Sequence, residues 1–342
     1  MLYNGGMNPV QNIISRLLAF AVLVSGIFHP LQPSAVKQTT VPLNPLSVQA
    51  MRLRSYPGSD IIIEETLAPA GNYNRYIASY ESDGLKIYAL LLVPNGVSPQ
   101  NGWPVIVLNH GYITPEKYTP DGNYIVYADA FAKNGYIVFK PNYRGNGKSD
   151  GSPTSTYYSP DYTVDDLNAI ASIKKYPYAD QTKIGVWGHS MGGNITLRDL
   201  VINRTDIKAA VIWGGVVASY DEIMNNWQNR VTYEPDAEDL MLRNKNRDLL
   251  IHIYGTPATN LDFWNSLDPT FFLQDITVPL QIDVGLSDIQ VPPDFSKGLY
   301  EKMKPLGKNV EYYEYPGSNH DINQSFDVAM KRTIDFFDQH LK

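Results

Sequence analysis

Ser190 stands at the centre of Gly188-His189-Ser190-Met191-Gly192, with a glycine two residues to either side. A Gly-x-Ser-x-Gly match arises by chance in roughly one chain in ten of this length, so its weight comes from context. The apolar run KIGVW, residues 183–187, precedes it and the helical run NITLRDLVI follows. A strand that reverses sharply into a helix holds its central residue in strained backbone geometry, and glycines are needed where side chains would collide with the flanking elements. Such a turn also exposes the hydroxyl at a helix N-terminus, where partial positive charge favours a developing anion. This is the setting of a nucleophile.

A serine hydroxyl becomes nucleophilic only when a base takes its proton. The chain has six histidines, which permits elimination. His29 sits in the leader, His189 within the turn itself, His252 in an extra helical segment and His340 near the end of the closing helix, while His110 precedes the serine. His320 remains, in the loop Pro316-Gly317-Ser318-Asn319-His320-Asp321 between the last strand and the last helix. The carboxylate that orients the imidazole is then expected at Asp288, in Gly285-Leu286-Ser287-Asp288-Ile289-Gln290, 98 residues after Ser190 and 32 before His320. Its competitors are Asp283, inside the strand, and Asp321, adjacent to the base. Acyl transfer also needs two donors where the carbonyl oxygen turns anionic. The Met191 N–H is expected to be one, and the Tyr112 N–H of the loop Asn109-His110-Gly111-Tyr112-Ile113-Thr114 the other, with Gly111 allowing the close turn.

The elements that must position these residues follow an order. The β-rich runs IIIEETL, YIASY and LKIYALLLVP predict an antiparallel opening, with Ser82-Asp83-Gly84 as a hairpin turn. Strands at 103–109, 136–140, 183–187, 209–213, 280–284 and 310–315 then alternate with helices at 124–133, 164–174, 195–201, 296–303 and 326–341. Continuous apolar strands between helices mean an α/β fold with a mostly parallel, doubly wound sheet, and loops at the carboxyl ends of its strands carry function. Residues 216–275 exceed what one crossover needs and are expected to form a helical lid.

Composition narrows the rest. With 342 residues, 43% apolar and 18% charged, the chain can bury a full core. A net charge of −7 with scattered Lys and Arg excludes a nucleic-acid partner. Zero cysteines exclude disulfides and thiolate chemistry. Arg16 followed by the 12-residue run Leu17 to Phe28 is too short to span a bilayer but fits a secretory signal or anchor. The expected division is therefore residues 1–29 as signal or anchor, 30–57 with its five prolines as a tether, and 58–342 as the catalytic domain. An extracytoplasmic location is expected, with any membrane attachment confined to the N-terminal segment. No metal or cofactor is called for, and the sequence sets no oligomeric state.

From about Tyr88 onward the chain resembles the catalytic domain of the prolyl oligopeptidase (S9-like) family and the related dienelactone-hydrolase-like esterases. The stretches that carry the resemblance are NHG at 109–111, NYRGNGKSDG at 142–151, GHSMGGN at 188–194, DVGLSDIQVPP at 283–293 and YPGSNH at 315–320. It implies an α/β-hydrolase fold, Ser190, Asp288 and His320 as a triad, and a bracing role for Tyr143-Arg144-Gly145. Two departures bear on substrate. Only about 85 residues precede the matching region, where family peptidases carry a β-propeller, and the loop reads His-Gly-Tyr where many have HGGP. The expected substrate is a small carboxylic ester, with a short peptide as the alternative; Glu234, Asp236, Glu238 and Asp239 could then hold a peptide amino terminus, although a solvated charge run is the expected meaning of these four.

Overall fold

The computed structural model describes residues 43–154, 157–227 and 237–342. In chain order its main elements are α1 (Val48–Leu53), β1 (Ile62–Ala70), β2 (Tyr73–Ser82), β3 (Leu85–Pro94), β4 (Trp103–Asn109), α2 (Ile125–Lys133), β5 (Ile137–Pro141), α3 (Asp161–Ile173), β6 (Ala179–His189) and α4 (Met191–Ile202). They continue with β7 (Ile207–Trp213), α5 (Ala237–Tyr254), α6 (Leu261–Leu267), β8 (Leu280–Gly285), α7 (Pro293–Met303), β9 (Val310–Tyr315) and α8 (Phe326–Leu341). The strands form one nine-stranded sheet in the order β1-β2-β3-β5-β4-β6-β7-β8-β9. The first three strands and the β3–β5 pairing are antiparallel, and every pairing from β5 to β9 is parallel. The expected hairpin closes β2 on β3 with Ser82 opposite Leu85; Asp83 and Gly84 both take positive φ, the pattern of a type I′ turn.

Alternation along the central strands feeds two cores. Val105 and Val107 of β4 point into one, with residues of α3, α4 and α7, while Ile106 and Leu108 point into the other, with residues of α2 and α8. In α8 the buried residues Ala329, Met330, Thr333, Phe336, Phe337 and Leu341 recur at helical spacing, which gives the helix one face to lay on the sheet. Gly185 makes room for it, since a Cβ there would lie 2.8 Å from both Leu341 and Phe337. With both faces covered, the open loops are those at the carboxyl ends of β4 to β9, and every expected site residue lies there.

One expectation needs adjustment. The tether assigned to residues 30–57 is folded from residue 43 onward: α1 is capped by Ser47, whose hydroxyl accepts from Ala50 N–H at 3.1 Å, and it buries Val48 and Met51 in the first core. One short turn amid five prolines leaves too little periodicity to read. Residues 1–42, with the expected signal or anchor, lie outside the described residues. Within the expected lid, 216–275, the described residues include α5, α6 and a short π-helical turn at Ile223–Trp227. Trp227, at the end of that turn, is buried and donates its indole N–H to Gln290 O at 2.8 Å.

Candidate active site

The turn between β6 and α4 carries Ser190 at φ 57°, ψ −119°. A non-glycine residue held there costs roughly 1–3 kcal/mol and persists only where its surroundings fix it. They do so with three backbone hydrogen bonds: Ser190 N–H donates to Trp213 O at 3.0 Å, and Ser190 C=O accepts from Gly193 N–H at 3.0 Å and Val216 N–H at 3.1 Å. The flanking glycines have the steric reason expected of them. A Cβ on Gly192 would lie 1.9 Å from Asn109 O, and one on Gly188 would lie 2.3 Å from the Thr196 hydroxyl. Met191 opens α4, where helix geometry leaves its N–H without an intrahelical acceptor.

His320 and Asp288 sit on neighbouring loops, after β9 and β8. Gly285 lets the two loops touch, since a Cβ there would meet Asn319 O at 2.2 Å, and Ser287 N–H donates to Ser318 O at 2.9 Å. His320 Nδ1 bonds Asp288 Oδ2 at 2.6 Å, with both side chains almost wholly buried. The other oxygen, Oδ1, accepts from Gln290 N–H at 2.7 Å and Val291 N–H at 2.9 Å. A carboxylate so held is an acceptor, so Nδ1 carries the proton and Nε2 presents its lone pair. Ser190 and His320 wall the same cleft, of about 440 Å³, together with Tyr112, Tyr157, Trp227 and Val291.

The rival carboxylates are accounted for. Asp283 is buried inside β8, accepts from Gln281 Nε2 at 2.6 Å and Tyr315 Oη at 2.7 Å, and is pushed up to about 7 chiefly by burial. Asp321 lines the cleft but lies beside His189, 3.7 Å from its Nε2.

The loop after β4 packs directly on the nucleophile: a Cβ on Gly111 would stand 3.1 Å from Ser190 Cβ, and Tyr112 lines the cleft. His110 is buried between the rings of Tyr118 and Tyr143, at centroid distances of 4.7 and 4.5 Å, and its Nδ1 meets Gly111 O at 2.7 Å. Burial and the nearby Lys140 charge push its imidazole down to about 3, so it is neutral. The loop 143–145 braces the site as the resemblance implied. Tyr143 donates to Asn109 Oδ1 at 3.2 Å, and the Arg144 guanidinium bonds the buried Asp165 of α3 at 2.7 to 3.1 Å.

Several wall residues escaped the sequence reading. Tyr124, Tyr157, Trp227 and His189 all line the cleft. Only His189 carried a signal, its place beside the nucleophile. Glu234 and Asp236 lie outside the described residues, as do the side chains of Glu238 and Asp239.

Comparisons with known proteins bear on the family and the fold. A family profile described as serine aminopeptidase, S33, matches residues 103–324. The uncharacterized peptidase YtmA of Bacillus subtilis is 27% identical over 256 residues, covering 74% of this chain and 88% of that protein. Among solved structures, Pyrococcus horikoshii acylaminoacyl peptidase aligns with a TM-score of 0.59 at 22% identity, over 80% of this chain and 42% of its own. The chain therefore spans less than half the length of that peptidase. The acetyl xylan esterase from Paenibacillus sp. R4 aligns with a TM-score of 0.62 at 18% identity, over 84% of this chain and 91% of its own. At these identities the structural likenesses show a shared fold. The chain belongs to the serine aminopeptidase (S33) family and is a serine hydrolase with the α/β-hydrolase fold.

Proposed function

We propose that the protein hydrolyses small carboxylic esters through an acyl-Ser190 intermediate, with His320 as general base and Asp288 as the carboxylate that orients it. The observation that carries this reading is the 2.6 Å bond from His320 Nδ1 to Asp288 Oδ2, with Ser190 and His320 in the wall of one cleft. Ser190 Oγ attacks the carbonyl carbon as His320 Nε2 takes its proton, and the Met191 and Tyr112 N–H groups receive the oxyanion. Collapse of the tetrahedral adduct expels the alkoxide, which takes the proton from His320. Water then attacks the acyl group, giving its proton to His320, and the second collapse releases the acid and returns the proton to Ser190. Asp288 offsets the imidazolium charge in both halves.

The ester reading is supported by the likeness to the acetyl xylan esterase, which the chain matches over 91% of that protein's length. The peptidase reading is supported by the family description and the peptidase name of YtmA. A panel of p-nitrophenyl esters and aminoacyl-naphthylamides separates the two. The ester reading expects ester turnover that Ser190→Ala abolishes and that exceeds naphthylamide turnover; faster naphthylamide cleavage reverses the assignment. An extracytoplasmic location, supported by the run Leu17 to Phe28 outside the described residues, is tested by N-terminal mass determination of the protein recovered from its native cells.

A further inference from the structure

We propose that Tyr124 and His189 are positioning residues that tie the oxyanion loop, the nucleophile turn and the base loop together through one proton arrangement. The inference rests on the hydrolytic reading above. His189 Nε2 lies 3.1 Å from His320 O, and a carbonyl oxygen can only accept. Nε2 therefore carries the ring proton, and Nδ1 is left as a lone pair. Tyr124 Oη lies 2.6 Å from that Nδ1, so the phenol donates its only proton there. Gly111, in the oxyanion loop, packs directly against that phenol oxygen. Each group is used once: Tyr124 O–H to His189 Nδ1, and His189 Nε2–H to the carbonyl of the base itself. Reversing any one member would set two donors or two acceptors face to face.

The surroundings hold this arrangement. The His189 ring is buried, lies 4.5 Å from the His320 ring by centroids, and stacks on Trp187 and Tyr127 at interplanar angles of 13° and 21°. Asp321 Oδ1, 3.7 Å from Nε2, is the charged neighbour, on the loop of the base. Burial first, and the adjacent His320 second, keep the His189 imidazole neutral, which spares His320 a neighbouring cation when it takes up the serine proton. Tyr124 is at φ 61°, a conformation a tyrosine adopts only under constraint. The point where a Gly111 side chain would begin is 2.4 Å from Tyr124 Oη and 3.1 Å from Ser190 Cβ, so phenol and nucleophile converge on the same few ångströms.

Tyr124→Phe, His189→Gln, His189→Ala and the Tyr124→Phe/His189→Gln pair test this against p-nitrophenyl acetate, with Ser190→Ala as the reference. The proposal expects kcat to fall about 10- to 100-fold in Tyr124→Phe, as misplacement of a base by a fraction of an ångström to an ångström does, with KM within about threefold of wild type. His189→Gln, whose amide N–H can replace the donor to His320 O, should recover part of the kcat lost in His189→Ala. The pair should lose no more than the worse single variant, because both break one chain of bonds. A Tyr124→Phe protein with wild-type kcat, or losses that multiply in the pair, overturns the proposal. Should a variant fail to fold, nitrogen-15 histidine spectra of the wild-type protein decide: an Nε2–H tautomer at His189 is expected, and an Nδ1–H tautomer overturns it. Ester turnover surviving in Ser190→Ala would instead refute the hydrolytic reading beneath it.

Discussion

Asp288→Asn separates a carboxylate that sets a tautomer from one that merely fills space. The two side chains have the same shape, so packing is kept. Asp288 Oδ1 accepts from Gln290 N–H at 2.7 Å and Val291 N–H at 2.9 Å, and these donors hold the amide oxygen of an asparagine on their side. Its NH2 must then face His320 Nδ1, where Asp288 Oδ2 now stands at 2.6 Å. An N–H donor meets that nitrogen only if the imidazole moves its proton to Nε2, the atom that has to accept from Ser190. Rotating the amide to escape would set its NH2 against two backbone N–H groups. The wrong tautomer is thus enforced, and kcat should fall by about 10,000-fold, or about 5.4 kcal/mol of transition-state stabilisation at 1.36 kcal/mol per decade. The assay is burst and steady-state release of p-nitrophenol, with Asp283→Asn as the comparison. Asp283 bonds Gln281 and Tyr315, so that variant should stay within about tenfold of wild type. An Asp288→Asn enzyme within tenfold of wild type, or the larger loss in Asp283→Asn, would refute the reasoning.

Asp283 also predicts a pH dependence of stability. Its folded-state value, about 7, lies above its ordinary 3.8. The stability its neutral carboxyl contributes is therefore complete below the unfolded value and lost as pH rises through the folded one. Between about pH 5 and about pH 8 the wild-type melting temperature should drop more than that of Asp283→Asn, by roughly 2 °C or more in differential scanning calorimetry; equal drops would contradict this. Gly192→Ala should cost at least about 2 kcal/mol in denaturant unfolding and most of the activity, because its Cβ meets Asn109 O at 1.9 Å. Trp227→Ala removes an apolar wall of the cleft. It should raise KM about tenfold for aromatic acyl esters while leaving kcat for acetyl esters within about threefold, read from an acyl-chain series.

The parts of the fold that were legible in the sequence are those where one local pattern decides. Strand β4 and helix α8 have the bounds their apolar patterns predict, since β4 is buried along nearly its whole length and α8 along one face. That Ser190, Asp288 and His320 meet at one cleft could be anticipated because the nucleophile turn is a steric motif and the other histidines and carboxylates stand elsewhere in the element order. Helix α1 was hidden because its two buried residues, Val48 and Met51, give no periodicity of their own. Tyr124 was hidden for a different reason. It is one of 24 tyrosines, and what singles it out is a left-handed backbone, a hydrogen bond to a residue 65 positions away and close packing on Gly111. Those are properties of the folded neighbourhood, which spacing along the chain does not encode.

The central claim, that Ser190 becomes acylated with His320 as its base, is tested most directly by fluorophosphonate labelling and peptide mapping of wild-type, Ser190→Ala and His320→Ala proteins. The account predicts a single adduct on Ser190 in the wild type, none on Ser190→Ala, and labelling of His320→Ala slowed in proportion to its lost ester turnover. An adduct on another residue, or undiminished labelling when His320 is removed, would contradict it.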